Sequence, residues 1–226
     1  MKTDNSIAFF EHVKAITEAE WEHIDLNDPF SSHILPGSKW KPGLSEKVLQ
    51  EFEVEMGFTF PEPLRNFYRT MNGLDRARIY TDEDNNPFPY YQFYSYPEHL
   101  DKIRSQIEWI YESNRVTLAI LKARAISRIF PIWGHRFIMI DEPGHPVLSM
   151  HGRDIIFYGL TLGSSFLHDH LHYASRRKCN EPVVPFWYPG WNKGPQMPKC
   201  RHRKGMMTKW NRKMKMQVIM QHRTMG

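Results

Sequence analysis

Residues 44–73 read LSEKVLQEFEVEMGFTFPEPLRNFYRTMNG. Leu44, Val48, Phe52 and Met56 recur every four residues, with Leu49 beside the stripe and Ser45, Glu46, Lys47 and Glu51 free to face water. That spacing predicts an amphipathic helix with one buried side. Gly57 suits a left-handed C-terminal cap, because a residue without Cβ enters that conformation at no steric cost. Pro61 and Pro63 fit the opening of a second helix, where the missing proline N–H has no intrahelical partner to lose. This second helix carries Leu64, Phe67, Tyr68 and Met71 and stops at Asn72-Gly73.

Upstream, Ile7, Phe10, Val13, Ile16 and Trp21 space like one helix face, and the turn-rich stretch Asp25 to Lys41 follows. Downstream, residues 75–98 combine aromatics and prolines with Asp82-Glu83-Asp84 and the run Tyr90-Tyr91-Gln92-Phe93-Tyr94, a strand-containing, loop-rich segment. Leu100, Ile103, Ile107 and Ile110 return to helical spacing, and residues 116–125 suggest a further helical stretch. The period then changes. Phe137–Ile140, Val147-Leu148 and Ile155–Tyr158 are short apolar runs separated by turn sequences, which predicts an antiparallel meander. Ser164 or Ser165 is positioned to cap a closing helix through Phe166, Leu167 and Leu171. Five prolines from Pro182 to Pro198 then discourage regular structure.

The formal net charge of +5 conceals a division along the chain. Residues 1–173 carry 17 Lys and Arg against 24 Asp and Glu, whereas residues 174–226 carry 13 against Glu181 alone. An acidic body and a basic tail attract opposite kinds of surface, so the whole-chain charge describes neither part. The absence of any apolar run near 18 residues argues against a spanning helix. The N-terminal residues show neither an apolar signal core nor a small-residue cleavage site, so the expected location is cytoplasmic. Cys179 and Cys200 form no C-x-x-C pattern and read as free thiols.

The order of these signals resembles the SUKH superfamily. Glu53, Gly57, Phe60-Pro61, Phe67 and Asn72-Gly73 stand where that family has a helix ending in Glu-x-x-x-Gly, an apolar-Pro step, and a second helix closing on Asn-Gly. Residues 129–167 look like the strand region of bacterial members, and Pro185-Phe186-Trp187 is similar to the step that follows it. The resemblance implies an α+β fold with a central, mainly antiparallel sheet flanked by helices. Residues 1–40 would form an N-terminal helix and loop packed on the main domain, 41–188 the SUKH-like domain, and 189–226 a basic, flexible tail. It also implies a non-catalytic protein-binding module. Bacterial members act mainly as immunity proteins against secreted toxins, many of them nucleases, and fungal relatives regulate cell-wall assembly.

The residues themselves supply little catalytic chemistry. No HExxH, CxxC or Gly-Lys-Ser/Thr pattern occurs, and Ser164 lacks the Gly-x-Ser-x-Gly elbow. His168, His170 and His172 alternate, which on a helix spreads them over different faces. His135, His145, His151 and Asp154 read as solvated turn residues rather than metal ligands, and no cofactor is expected. Glu53 reads as a solvated or paired structural residue.

The acidic-aromatic segment is the candidate interface: Asp82, Glu83 and Asp84 to steer a cationic toxin, with Tyr90, Tyr91 and Tyr94 to supply contact area. Its structural alternative is a loop whose tyrosines pack on the domain. Arg201, Arg203, Lys204, Lys209, Arg212 and Lys213 in the tail suit weak polyanion contact. The leading expectation is therefore an immunity protein that binds a cognate toxin. A regulatory scaffold and a nucleic-acid or anionic-surface binder acting through the tail are the alternatives.

Overall fold

The computed structural model describes residues 4–24, 33–170 and 183–188. Its elements run α1 (Ile7–Trp21), β1 (Trp40–Pro42), α2 (Glu46–Met56), α3 (Glu62–Thr70), β2 (Met71–Leu74), β3 (Arg78–Thr81) and β4 (Pro87–Tyr90). There follow α4 (Leu100–Ser113), α5 (Leu118–Ala123), β5 (Ile129–Trp133), β6 (Arg136–Met139), β7 (Val147–His151), β8 (Asp154–Gly159) and α6 (Leu162–His170). The expected α+β class with antiparallel pairing and flanking helices is what this order builds.

The expected meander of residues 137–158 is present and gains a strand, β5, so the sheet runs β5-β6-β7-β8 with every pair antiparallel. Alternation divides its side chains between two cores. Phe130, Ile138 and Val147 join the larger cluster with Phe10, Phe52, Phe67 and Phe166. Ile129, Phe137, Met139, Leu148 and Met150 join a second cluster with Ile110, Val116 and Trp187. A register shift between Pro131 and Trp133 breaks the alternation and lets Ile132 and Trp133 enter the same cluster. Both faces of the sheet are thus covered, which accounts for continuous apolar runs where a half-exposed strand would alternate.

Helix ends follow local chemistry. Ser45 accepts from Val48 N–H at the start of α2, and Gly57 closes it at φ 75° with its N–H directed to the Glu53 and Val54 carbonyls. The buried side of α2 is Leu49, Phe52 and Glu53, rotated slightly from the expected stripe. Glu53 is only 9% exposed because its carboxylate accepts from Phe60 N–H at 2.7 Å and pairs with Arg65 of α3. Removing Arg65 would leave the buried Glu53 carboxylate without its counter-charge, so this pair ties α2 to α3 and to the step between them. Glu46 pairs with Arg65 and Arg69, and the Arg69 hydrogen bond leads in holding its carboxyl below the usual range.

Two expected caps are corrected. Asn72-Gly73 does not terminate the second helix, which ends at Thr70; both residues lie inside β2. Gly73 does adopt φ 73°, but its constraint comes from the neighbouring segment, where an added Cβ would lie 2.2 Å from Ser95 Oγ. At α6 the cap is Thr161 rather than Ser164 or Ser165. Thr161 Oγ1 accepts from Ser164 N–H at 3.1 Å while Ser164 Oγ accepts from Thr161 N–H at 3.0 Å. That is a reciprocal capping box with serine in the third helical position.

The Pro185-Phe186-Trp187 step acts as a plug. Trp187 stacks on Tyr111 at 6.0 Å between ring centroids and donates its indole N–H to the Ser127 carbonyl at 2.7 Å, sealing the second core. At the other end, α1 packs against α3 and α6 and delivers Phe9, Phe10, Val13 and Trp21 to the larger core. Trp40 of β1 donates its indole N–H to Thr17 of α1 at 2.9 Å. The loop prediction for residues 25–41 falls partly outside the described residues, and its C-terminal part contains β1.

Candidate protein-binding surface

β3 and β4 form a separate two-stranded hairpin with Arg78 opposite Tyr90, Ile79 opposite Pro89, Tyr80 opposite Phe88, and Thr81 opposite Pro87. The turn is built by Asp82. Its carboxylate accepts from Asp84 N–H at 3.0 Å and from Asn86 N–H at 2.8 Å, and Asn86 Nδ2 adds a bond at 3.2 Å. The Asn86 backbone hydrogen bond leads in holding this carboxyl below its ordinary range. Asn85 takes φ 62°, a conformation asparagine tolerates better than most residues. Asp82 is therefore the turn's organiser, whereas Glu83 and Asp84 are exposed and their side chains make no hydrogen bond or ion pair among the described residues.

Alternation gives the hairpin two unlike faces. Arg78, Tyr80, Phe88 and Tyr90 share one. There the His33 ring lies 4.7 Å from Tyr90 and 5.7 Å from Tyr80, its Nδ1 shares a hydrogen bond with the Tyr80 hydroxyl, and Arg78 sits over the Tyr80 ring at 5.4 Å. Burial, then the nearby Arg78 charge, lowers the His33 pKa, and burial raises that of both tyrosines. This face is the hairpin's anchor. Ile79, Thr81, Pro87 and Pro89 form the other face, which is exposed, with Ile79 at 62%. Phe88 belongs to the anchored side yet stays 42% exposed near the tip.

The tyrosines expected at the interface occupy three different environments. Tyr90 is half-buried in the anchor, and Tyr91 is half-buried with its ring 3.9 Å from His99. Tyr94 is a correction: at 5% exposure it lies in the core, where its hydroxyl reaches the Gly134 carbonyl at 3.4 Å and burial pushes its phenol pKa up. It has no surface to offer a partner. Ile79 and Phe88 are exposed apolar residues that the sequence reading leaves out of the candidate surface, and the prolines at every second position of residues 87–89 mark β4 as an edge strand.

Among the described residues, no group of three or more His, Cys, Asp or Glu side chains is placed to hold a metal ion. His135 and His151 approach to 6.4 Å between rings, and burial, followed by the neighbouring Arg136 charge, pushes His135 down to about 3. His168 Nδ1 shares a hydrogen bond with the Tyr158 hydroxyl at 3.1 Å. The side chains of His170 and His172, both cysteines, and the tail cations Arg201, Arg203, Lys204, Lys209, Arg212 and Lys213 lie outside the described residues. No helix among the described residues is long and apolar enough to cross a membrane.

No curated protein and no solved structure matches the chain. The model of the SMI1 / KNR4 family (SUKH-1) matches residues 43–187. That span takes in α2, the Gly57 cap, α3, the hairpin, the four-stranded sheet and the Trp187 plug. Covering well over half of the sequence, it shows that the chain belongs to the SMI1 / KNR4 family (SUKH-1).

Proposed function

We propose that this SUKH-family chain is a non-catalytic, cytoplasmic immunity protein that neutralises a cognate protein toxin by stoichiometric binding. The observation that supports this reading is the β3–β4 hairpin: an anchored arm with an exposed apolar face and the exposed carboxylates of Glu83 and Asp84 at its tip. No Lys or Arg lies between Thr81 and Tyr90 to offset them. A nuclease suits such an arm, because the cations that hold a phosphate backbone present the complementary charge. In this reading residues 41–188 form the binding body, residues 1–40 a helix and loop packed on it, and residues 189–226 a basic tail that adds weak polyanion contact.

The test is co-expression with the toxin encoded beside this chain's gene. A one-to-one complex on size exclusion, together with rescue of growth, is the expected result. Unrelieved toxicity with no complex overturns the assignment. Removing residues 189–226 should weaken retention on heparin while leaving the complex intact.

A further inference from the structure

The hairpin's two outer edges differ. Asp82 N–H donates to the Asn86 carbonyl at 3.0 Å, which makes Asp82 and Asn86 a hydrogen-bonded pair of the ladder. Antiparallel pairs alternate, so Tyr80–Phe88 and Arg78–Tyr90 also face inward, whereas Ile79, Thr81, Pro87 and Pro89 turn their backbone groups outward. On β4 both outward positions are proline. That edge has no N–H to donate and is closed to strand addition. On β3 the outward positions are Ile79 and Thr81, which keep both N–H groups and both carbonyls. None of these groups bonds to another described residue. By contrast, the edge of the main sheet at β5 is already engaged, because Phe93 bridges Trp133 and Gly134 N–H donates to the Gln92 carbonyl at 3.1 Å.

We infer that the outer edge of β3 takes an extended segment of a cationic protein partner, which adds beside Ile79 and Thr81 as a third strand. The inference rests on the protein-binding reading above and names how that surface binds. The backbone of Ile79 and Thr81 supplies two donors and two acceptors, enough to fix the register of a short segment. On the exposed face, an apolar partner side chain beside Ile79 would extend the Ile79–Pro89 pair. At the tip, Glu83 and Asp84 stand next to the end of the added strand and favour Lys or Arg there. A segment alternating apolar and basic residues meets both demands, and a like-charged one is repelled.

Amide hydrogen exchange on the full chain tests this, with the adjacently encoded toxin as the probe. Binding should slow exchange at Ile79 and Thr81 at least tenfold, while the inward-facing Tyr80 amide changes little. Thr81→Pro deletes one outward donor at a position equivalent to Pro87 on the paired strand. It should leave thermal melting near that of the native chain and weaken toxin binding more than tenfold. Toxin binding that leaves both amides unprotected overturns the edge inference while the immunity reading stands, and it does so whether or not the proline variant folds. If the toxin does not bind at all, the immunity reading falls. A ten-residue alternating Lys-Val peptide then decides the edge: protection of the same two amides supports it, and none overturns it. Concentration-dependent protection with no partner present assigns the edge to a second copy of this chain and overturns the inference.

Discussion

Asn72 holds the backbone of Tyr96 with both ends of its side-chain amide: Nδ2 donates to the Tyr96 carbonyl at 2.7 Å and Oδ1 accepts from Tyr96 N–H at 2.8 Å. A side chain here does what a neighbouring strand would do, pairing a stretch of backbone that leads from the hairpin back to α4. The stretch also carries Phe93, Tyr94 and Ser95, all buried. The Asn72 latch therefore fixes the base from which the hairpin projects.

Asn72→Ala should destabilise the protein by about 2–3 kcal/mol, since it leaves two backbone groups unsatisfied in a poorly hydrated place. Asn72→Asp can still accept from Tyr96 N–H but loses the donor, so it should recover only part of that loss. Urea unfolding of the three proteins checks the order. Equal midpoints would show that water replaces the amide without cost.

Gly73 and Ser95 form a second, steric latch. A Cβ at Gly73 would meet Ser95 Oγ at 2.2 Å and Ser95 N at 3.1 Å, and φ 73° disfavours any L side chain there. Gly73→Val should cost at least about 2 kcal/mol, because a β-branched residue adds strain to the clash. Ser95 Oγ is buried with no hydrogen-bond partner among the described residues, so Ser95→Ala alone should change stability by less than about 0.5 kcal/mol. Combined with Gly73→Ala it should relieve the side-chain clash while the backbone strain remains. Thermal melts of the two single variants and the double variant separate these contributions. Strict additivity would show that the residues do not meet.

Acid sensitivity follows from two histidines. Burial leads in lowering the folded pKa of His99 and His135, the latter from 6.5 to about 3. Below pH 6.5 the unfolded chain binds protons at these sites that the folded chain refuses. Stability is therefore fully present above 6.5 and falls as pH drops toward the folded values. Glu46 and Asp141 are held below the usual carboxylate range by Arg69 and Arg128, so their contribution is lost only at lower pH. His135→Gln should flatten the slope of unfolding free energy between pH 4.5 and 6.5. An unchanged slope in urea titrations at five pH values would mean that His135 is protonated in the folded chain.

What was legible in the sequence was mostly local. Gly57 marks its own helix end because a left-handed cap depends on one residue's missing Cβ, and the apolar runs of 137–158 announce strands without reference to anything distant. Pairing across the chain was not legible. Asn72-Gly73 looked like a helix stop because the partners that explain it, Tyr96 and Ser95, lie more than twenty residues away. The sequence leaves Glu53 either paired or solvated, and Phe60 N–H and Arg65 decide for pairing. For the candidate surface, the aromatic run 90–94 carried no indication of which rings turn inward. Ile79 stays outside because the hairpin's register places it on the exposed face, whereas Tyr94 lies beyond the hairpin, in the buried segment that reaches Gly134 and leads into the Asn72 latch.

That register revises which residues can report on recognition. Asp82 holds the turn and Tyr94 lies in the core, so substituting either confounds binding with folding. Glu83 and Asp84 are exposed and their side chains make no hydrogen bond or ion pair among the described residues, and Ile79 faces solvent. If the hairpin recognises a cationic toxin, Glu83→Ala with Asp84→Ala should slow association roughly 3–10-fold at low salt and reduce its salt dependence, because steering acts on the encounter. Ile79→Ser should leave association nearly unchanged and accelerate dissociation roughly 5–10-fold, since it removes contact area formed only after docking. Surface plasmon resonance at two salt concentrations reads both rates, and circular dichroism melts verify that each variant is folded. Rates equal to those of the native chain in all the folded variants would place the toxin-binding surface elsewhere on the domain.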